Sequence, residues 1–318
     1  MKIDVIASER QYQDHMLPIW AALPLSLQGT VRPVEPRPVS RPPLGRIAMV
    51  AGWQDVQPLR GTCRMIYVEH GAGQTYKDAH HDPSYSASEG ARHQGVIGYV
   101  CPSETVAARW KNAPTVAVGS PKMDEWVRFV KPPTERPTVC FAWHWDATVA
   151  PEAKTAWPHY QRLFPRIVER FRDQGFDVAG HSHPKWRGKL DSVLSAAGVD
   201  VFGSDREVFA HADILIVDNS SLGFEVASLG RPVLNLNAPW YRRDIEHGLR
   251  FWSYPPGLEF NEPEELLEFN LWDCLHETPA RLIGEFRRKA AVEHAYAFTD
   301  GSSAERAAAW ITELVSSV

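Results

Sequence analysis

Short apolar runs alternate with longer amphipathic stretches along most of this chain. Each run is rich in β-branched residues and is bounded by Gly, Pro or Ser, as in MIYVEH (65–70), GVIGYVCPS (95–103), PTVCFAWH (137–144) and DILIVDNSS (213–221). Strands that are separated by helices predict a parallel sheet covered on both faces. We therefore expect an α/β protein, whose ligands bind beyond the carboxyl ends of its strands.

The segment KPPTERP (131–137) interrupts this pattern, which then restarts. Because 318 residues exceed the usual size of one domain, we predict two Rossmann-like domains with parallel sheets facing across a cleft. The acceptor-side domain spans 1–131, and the nucleotide-donor-binding domain spans 132–301. A final helix at about 302–318 is expected to pack back on the first domain.

Apolar and polar periodicity also predicts the main helices and one irregular loop. The Pro-dense segment VRPVEPRPVSRPPLG (31–45) predicts the loop, because its prolines lack the N–H that a ladder or a helix interior needs. The predicted helices include those from about Glu9 to Ala22, Lys122 to Val130, Trp157 to Gln174, 186–197 and 205–211.

Composition and charge exclude several classes of protein. No run of 18 apolar residues occurs, so no membrane span is expected. The net charge of −5 gives no global basic footprint for nucleic acid. The four cysteines are scattered without a CxxC, and the opening residues lack the apolar core of a signal peptide. These features predict reduced thiols and a cytoplasmic location.

Polar residues follow two of the predicted strands closely. Glu69, His70, Gly71 and Gly73 come after MIYV, and they are expected on the acceptor side. An imidazole at a strand end suits a general base near neutral pH, while the alternative is a histidine satisfied within a turn. His181 and His183 follow the strand FDVAG, and we expect one of them to meet phosphate and the other to pack.

The segment DILIVDNSSLGFEVASLGRPVLNLN (213–237) carries the strongest signal. A buried strand delivers Asp218, Asn219, Ser220 and Ser221 to the start of a helix, where free N–H groups and hydroxyls bind anions. Glu225 follows one helical turn later, and its carboxylate can accept hydrogen bonds from ribose hydroxyls. A nucleoside diphosphate site is predicted, and the alternative is an ordinary capped helix with a solvated glutamate.

Five segments together resemble the CDP-glycerol glycerophosphotransferase family, which makes teichoic acid-like polymers and has the GT-B glycosyltransferase fold. They are VEHGAGQ (68–74), VGSPKMD (118–124), GHSHP (180–184), DILIVDNSSLGFEVASLGRPVL (213–234) and FTDGSSAERAAAWI (298–311).

This resemblance implies roles for individual residues. His70 would act on the acceptor hydroxyl, and His183 would lie beside the donor pyrophosphate. Ser220 and Ser221 would bind phosphate, and Glu225 would be the acid of the donor helix. Asp300 and Gly301 match the family's final turn.

The expected function is transfer of a sugar or glycerol-phosphate group from a nucleotide-diphosphate donor to an acceptor hydroxyl. The donor would be CDP-glycerol-like or a UDP-sugar, and the acceptor a glycan or polyol polymer, a protein or a nucleic-acid base. No cofactor and no metal are required, because Ser220, Ser221, the helix dipole and His183 can neutralise the leaving group. His80, His81 and Asp82 are interpreted as a solvated loop, since consecutive residues have poor ligand geometry.

Three alternatives remain open at this point. A DNA-modifying glycosyltransferase acting on a hydroxylated base would use the arginines of loop 32–46 and Arg242–Arg243 as a local basic groove. A nucleotide-sugar 2-epimerase has a similar donor helix and His-Gly pair. A non-catalytic nucleotide- or glycan-binding protein would use the aromatic residues.

Overall fold

The two stretches of alternating strands and helices each form a parallel sheet. The computed structural model describes residues 1–34, 47–73, 75–76, 95–132, 134–146, 154–241, 250–251 and 253–317. Its strands are β1 (Ile3–Val5), β2 (Gln28–Val31), β3 (Ile47–Val50), β4 (Arg64–Val68), β5 (Thr75–Tyr76), β6 (Val96–Cys101), β7 (Thr115–Ala117), β8 (Thr138–Trp143), β9 (Asp177–Ser182), β10 (Asp200–Val201), β11 (Ile214–Val217), β12 (Val233–Leu236), β13 (Arg250–Phe251) and β14 (Leu258–Phe260).

The helices follow the strands as covering elements. They are α1 (Arg10–Ala22), α2 (Trp53–Leu59), α3 (Glu104–Ala107), α4 (Trp157–Tyr160), α5 (Phe164–Asp173), α6 (Arg187–Ala196), α7 (Asp205–His211), α8 (Leu222–Ser228), α9 (Pro263–Glu268), α10 (Pro279–Ala295) and α11 (Ser303–Ser316). Short 3₁₀ helices span Pro121–Met123 and Leu271–Cys274.

The described residues divide into two units. Unit 1 takes in those of 1–72, 78–129 and 294–318, and unit 2 takes in those of 73–77 and 130–293. The sheet of unit 1 has the order β2-β1-β3-β4-β6-β7, and that of unit 2 has the order β10-β9-β8-β11-β12-β14. All neighbouring strands in both sheets are parallel. The predicted α/β class is confirmed.

Unit 1 is covered on both faces of its sheet. On one face, Met16 and Ile19 of α1 pack with Ala307 and Ile311 of α11. On the other face, α2 and α3 bury apolar side chains that include Val56. Helix α11 therefore supplies part of the core of unit 1, although it follows all of unit 2 in the sequence.

Unit 2 has a core of aromatic and aliphatic side chains. Helix α5 buries Phe164, Ile167, Val168 and Phe171, which recur at the spacing of one helix face. They pack with Phe141 of β8 and with the other strands of the sheet. Gly175, at φ 90°, ends the helix in the left-handed conformation that favours glycine.

Three local predictions were wrong. The helix expected from about Trp157 to Gln174 is two helices, because Pro165 occupies the first turn of α5 rather than a helix interior. The helix expected at Lys122 to Val130 is a short 3₁₀ helix, Pro121–Met123, followed by turns. Val31, assigned to the irregular loop, ends strand β2, whereas 35–46 lie outside the described residues.

Candidate functional site

The predicted donor residues come together at the carboxyl edge of the unit 2 sheet. Strands β9, β8 and β11 are neighbours and run in parallel, so the residues that follow them share one edge. His144 follows β8, His183 follows β9, and 218–221 follow β11. The topology thus assembles three chain segments that are far apart in the sequence.

Asp218 ties this edge together from within. Its carboxylate is fully buried and accepts hydrogen bonds from the backbone N–H of His144 at 2.8 Å and of Ala156 at 2.9 Å. It also accepts one from the hydroxyl of Thr155 at 2.8 Å. Both oxygens are therefore engaged inside unit 2, and a donor contact by Asp218 stays a prediction.

The segment after Asp218 presents small polar side chains. Asn219, Ser220 and Ser221 are half-buried, and α8 begins at the next residue. The hydroxyl oxygen of Ser220 accepts from the backbone N–H of Leu222 at 3.3 Å, which closes a tight turn. A hydroxyl held in this way keeps an accessible lone pair and its own proton for a ligand.

Glu225 lies on α8 with only 4% of its surface exposed. A ligand hydroxyl that reached this carboxylate would form a charge-assisted hydrogen bond away from bulk water. Its neighbour Phe224 packs under Gly73, where a Cβ would lie 2.1 Å from the phenyl Cζ. Gly73 has φ +79°, so both space and backbone conformation require glycine there.

The two histidines after the strand FDVAG differ in their surroundings. His181 is buried, with Nδ1 3.0 Å from the carbonyl oxygen of Phe202 and Nε2 3.0 Å from a carboxylate oxygen of Asp205. His183 is half-buried, and its Nδ1 accepts from the backbone N–H of Lys185 at 3.2 Å. His181 thus joins β9 to α7, whereas His183 is the one with a partly open ring.

Sequence reasoning missed a cluster around His183. The rings of His144 and Trp145 lie 5.3 and 6.2 Å from the His183 ring, measured between centroids. Lys185 places its ammonium 4.9 Å from the Trp145 ring centroid, within cation–π range. The signal that could have found the cluster is the pair His144–Trp145, at the end of the predicted strand PTVCFAWH (137–144).

His70 lies at the corresponding edge of the unit 1 sheet, after β4. It is half-buried, and its ring meets the edge of the Tyr12 ring at 4.5 Å and that of His15 at 6.4 Å. Gly71 follows at φ +78°, the left-handed conformation that glycine adopts without strain. Glu69 precedes it, and its charge contributes to the raised pKa of Tyr99, although burial is the larger cause.

A polar network lies behind His70. The amide nitrogen of Gln54 is 3.2 Å from the Tyr12 hydroxyl, and 3.0 Å from both the Ser8 hydroxyl and a carboxylate oxygen of Glu9. Asp55 accepts from the backbone N–H of Ser8 at 3.1 Å, and burial raises the pKa of Asp55 to about 6. These hydrogen bonds connect the segments after β1 and β3 to Tyr12, whose ring packs on His70.

Asp124 has a structural role. Its carboxylate accepts from the backbone N–H groups of Ser303 at 3.0 Å and Ala304 at 2.7 Å, at the start of α11. Arg128 also donates to the carbonyl of Gly301, at the turn that contains Asp300. These bonds fix α11 on unit 1.

Neither a cluster of metal ligands nor a membrane-spanning helix occurs among the described residues. Over the described ranges, no group of three or more His, Cys, Asp or Glu side chains is placed to hold a metal ion. His80, His81 and Asp82 lie outside these ranges, as do Arg242 and Arg243. Within the part of the chain that the structure describes, no helix is long and apolar enough to span a bilayer.

Residues 170–313 match the model of a family described as CDP-glycerol:poly(glycerophosphate) glycerophosphotransferase. The predicted resemblance to this transferase family is confirmed. The match runs from within α5 into α11 and includes every residue predicted to bind the donor. Comparison with curated proteins gives no significant match.

Solved structures with a similar fold include a polymerase, a 2-epimerase and a complex with UDP. The wall teichoic acid polymerase TagF aligns with a TM-score of 0.68 at 13% identity, over 100% of this chain and 90% of the TagF chain. A UDP-N-acetylglucosamine 2-epimerase aligns at 0.58 and 12% identity, over 100% and 97% of the two chains. The S. aureus MnaA–UDP structure aligns with a TM-score of 0.59 at 13% identity, over 100% of this chain and 97% of the MnaA chain. At these identities the likeness shows a common fold, which confirms the GT-B prediction.

Proposed function

We propose that this protein transfers a glycerol phosphate group from a CDP-glycerol-type donor to an acceptor hydroxyl. One observation carries the proposal: the family match spans the whole set of predicted donor residues, and these lie together at one sheet edge. The likeness to the epimerases covers the fold alone, so it does not favour epimerisation over transfer.

The proposed chemistry is a displacement at phosphorus. The acceptor oxygen attacks the phosphorus of the glycerol phosphate group, and a new P–O bond forms as the pyrophosphate P–O bond breaks. CMP leaves with the bonding electron pair. His183 and the hydroxyls of Ser220 and Ser221 are proposed to stabilise the charge that develops on the leaving phosphate.

His70 is proposed to accept the proton of the acceptor hydroxyl. The contact with Tyr12, itself tied to Gln54, supports this role because it limits the orientations of the imidazole. A general base must hold its nitrogen at hydrogen-bond distance from the proton that it removes. Glu69 and Gly71 are proposed to shape the acceptor side around it, whereas Gly73, predicted for the same side, lies in unit 2 against Phe224.

Metal independence and a cytoplasmic location complete the proposal. Charge neutralisation by side chains and the start of α8 supports turnover without a divalent ion. All four cysteines are free thiols, and Cys101, Cys140 and Cys274 are buried, which supports a reducing compartment.

The test is CMP release from CDP-glycerol by the purified protein, with and without an acceptor panel of polyols, glycans and a hydroxylated DNA base. We expect release that depends on an acceptor and that survives EDTA treatment. A parallel thermal-shift series with CDP, UDP, GDP and ADP should show the largest stabilisation with CDP. Epimerisation of UDP-N-acetylglucosamine in the absence of any acceptor, with no response to CDP, would overturn the proposal.

A further inference from the structure

A cavity of about 220 Å³ lies at the amino edge of the unit 2 sheet. Its lining includes the first residues of two neighbouring parallel strands, Val233 of β12 and Leu258 of β14. The predicted donor residues follow β9 and β11 of the same sheet at their carboxyl ends. The cavity and the donor edge are therefore at opposite ends of the strands.

The lining of the cavity has a buried apolar part and a charged part that reaches solvent. Val233, Leu234 and Cys274 are buried, and Leu258 and Leu275 are half-buried beside them. One face of helix α10 closes the other side, with residues 280, 281, 284, 285 and 288. An apolar cavity of about 150 Å³ binds a benzene molecule, so the space in unit 2 is large enough for one substituted aromatic ring.

Two arginines on this face of α10 give the cavity an excess of positive charge. Arg288 donates to the carbonyl oxygen of Ala227 at 3.2 Å, and Arg281 donates to another backbone carbonyl at 3.3 Å. These bonds hold both guanidinium groups beside the cavity, and a guanidinium carries more N–H donors than they use. Glu285 is the acidic residue of the lining, and it contacts Lys289 at 2.9 Å, outside the lining.

We propose that this cavity binds a small molecule that has a compact apolar body, of the size of one aromatic ring, and a single carboxylate. The apolar body packs against Val233 and Leu234, and the carboxylate accepts charge-assisted hydrogen bonds from Arg288 and Arg281. The excess of positive charge disfavours a cationic ligand of the same shape. This binding does not require the proposed transfer reaction, because it uses none of the donor residues.

Isothermal calorimetry of the full chain with benzoate tests the proposal. We expect saturable binding with a Kd of about 1 mM or lower. Benzylamine carries an aromatic ring with the opposite charge, and inorganic phosphate carries negative charge without a ring. Each should bind at least about tenfold more weakly than benzoate. Excess CDP should leave benzoate binding unchanged, because the donor residues lie at the other edge of the sheet.

Two variants change the cavity itself. A Cβ at Gly284 would lie 3.6 Å from Leu258, which is an ordinary van der Waals contact, so Gly284→Leu places a side chain in the cavity. This variant should bind benzoate at least about tenfold more weakly and keep or raise its Tm, because leucine favours a helix more than glycine does. Arg288→Met removes the charge at similar length and should weaken benzoate binding by about tenfold as well.

Arg287→Met is the matched control. Arg287 lies on the same helix, outside the cavity lining, and pairs with Glu259 at 3.4 Å, so its loss should leave benzoate binding unchanged. Circular dichroism should show that every variant keeps the fold. Absence of benzoate binding by the wild type at about 10 mM would overturn the proposal. Equal binding by the Gly284→Leu variant, equal binding of benzylamine, or displacement of benzoate by CDP would also contradict it.

Discussion

Asp218 accepts a hydrogen bond from the backbone N–H of His144 at 2.8 Å, which ties the ends of two neighbouring strands, β11 and β8. The same carboxylate also holds Thr155 and Ala156. One buried side chain therefore shapes the edge on which the donor residues lie. Loss of this carboxylate should lower the free energy of unfolding and, as a consequence, weaken donor binding.

Replacing Asp218 should destabilise unit 2 strongly. Asp218→Ala leaves two buried backbone N–H groups without an acceptor, so we expect a loss of about 3 kcal/mol in the free energy of unfolding. Urea denaturation measures it. The control is Asp177→Ala, which removes an exposed ion pair with Arg136 and should cost less than about 1 kcal/mol. Equal losses of unfolding free energy in the two variants would show that the hydrogen bonds of Asp218 contribute little to stability.

His70 and His183 should affect different kinetic constants. His70→Ala should lower kcat by about 10²–10⁴-fold and leave the dissociation constant for CDP nearly unchanged, because it removes the base and not a donor contact. His183→Ala should weaken CDP binding and lower kcat together. Steady-state kinetics and calorimetry measure the two constants.

The control for this pair is His15→Ala, whose ring lies 6.4 Å from that of His70 and should change kcat little. Near-normal turnover by the His70→Ala variant, with the fold intact, would show that another residue is the general base. Glu69 would be the next candidate, since the Asp124 carboxylate is engaged at the start of α11.

Glu225 should contribute to nucleotide affinity. Glu225→Gln keeps the size of the side chain but removes its charge, so CDP binding should weaken by roughly 1–3 kcal/mol. Isothermal calorimetry with CDP measures this directly. Glu169→Gln, on the exposed side of α5, is the matched control and should bind like the wild type. Unchanged affinity in the Glu225→Gln variant would contradict the ribose contact.

Asp55 should make stability depend on pH. Burial raises its pKa from 3.8 to about 6, so between these values the folded state binds more protons than the unfolded state. Stability should therefore fall as pH rises from about 4 to about 6, and this contribution should level off above that range. A shift of this size corresponds to roughly 3 kcal/mol as an upper figure.

Asp55→Asn tests the pH effect, because the amide oxygen can still accept from the N–H of Ser8. Urea titrations of the variant and the wild type at pH 4.5 and pH 8 should show the variant gaining stability relative to the wild type at the higher pH. A difference that is independent of pH would rule out this ionisation as the cause.

Local patterns account for what the sequence predicted well. The run ILIV and the polar turn after it define β11 and the start of α8 without any distant information. Parallel strands share an edge, so strand ends alone brought His183 and Ser220 to the same side of one sheet. The confirmed α/β class and family resemblance both rest on such short segments.

Distant contacts explain what remained hidden. The bonds of Asp218 reach residues 74 and 63 positions away, and that of Asp124 reaches Ala304, 180 positions away. The periodicity of apolar residues does not predict such pairs, because it reports only the spacing of residues along one helix or strand. The polar contact between Gln54 and Tyr12, 42 positions apart, belongs to the same class.

The place of α11 in unit 1 also constrains the order in which the two units can fold during synthesis. A ribosome completes the sequence of unit 2 before it reaches Ala307 and Ile311, which the core of unit 1 needs. Unit 2 can therefore fold on the nascent chain before α11 is made. Until then, one face of the unit 1 sheet lacks the side chains of α11 and is incompletely covered. A fragment that stops at Phe129 would keep that face open, so the first unit cannot be produced in native form by truncation alone.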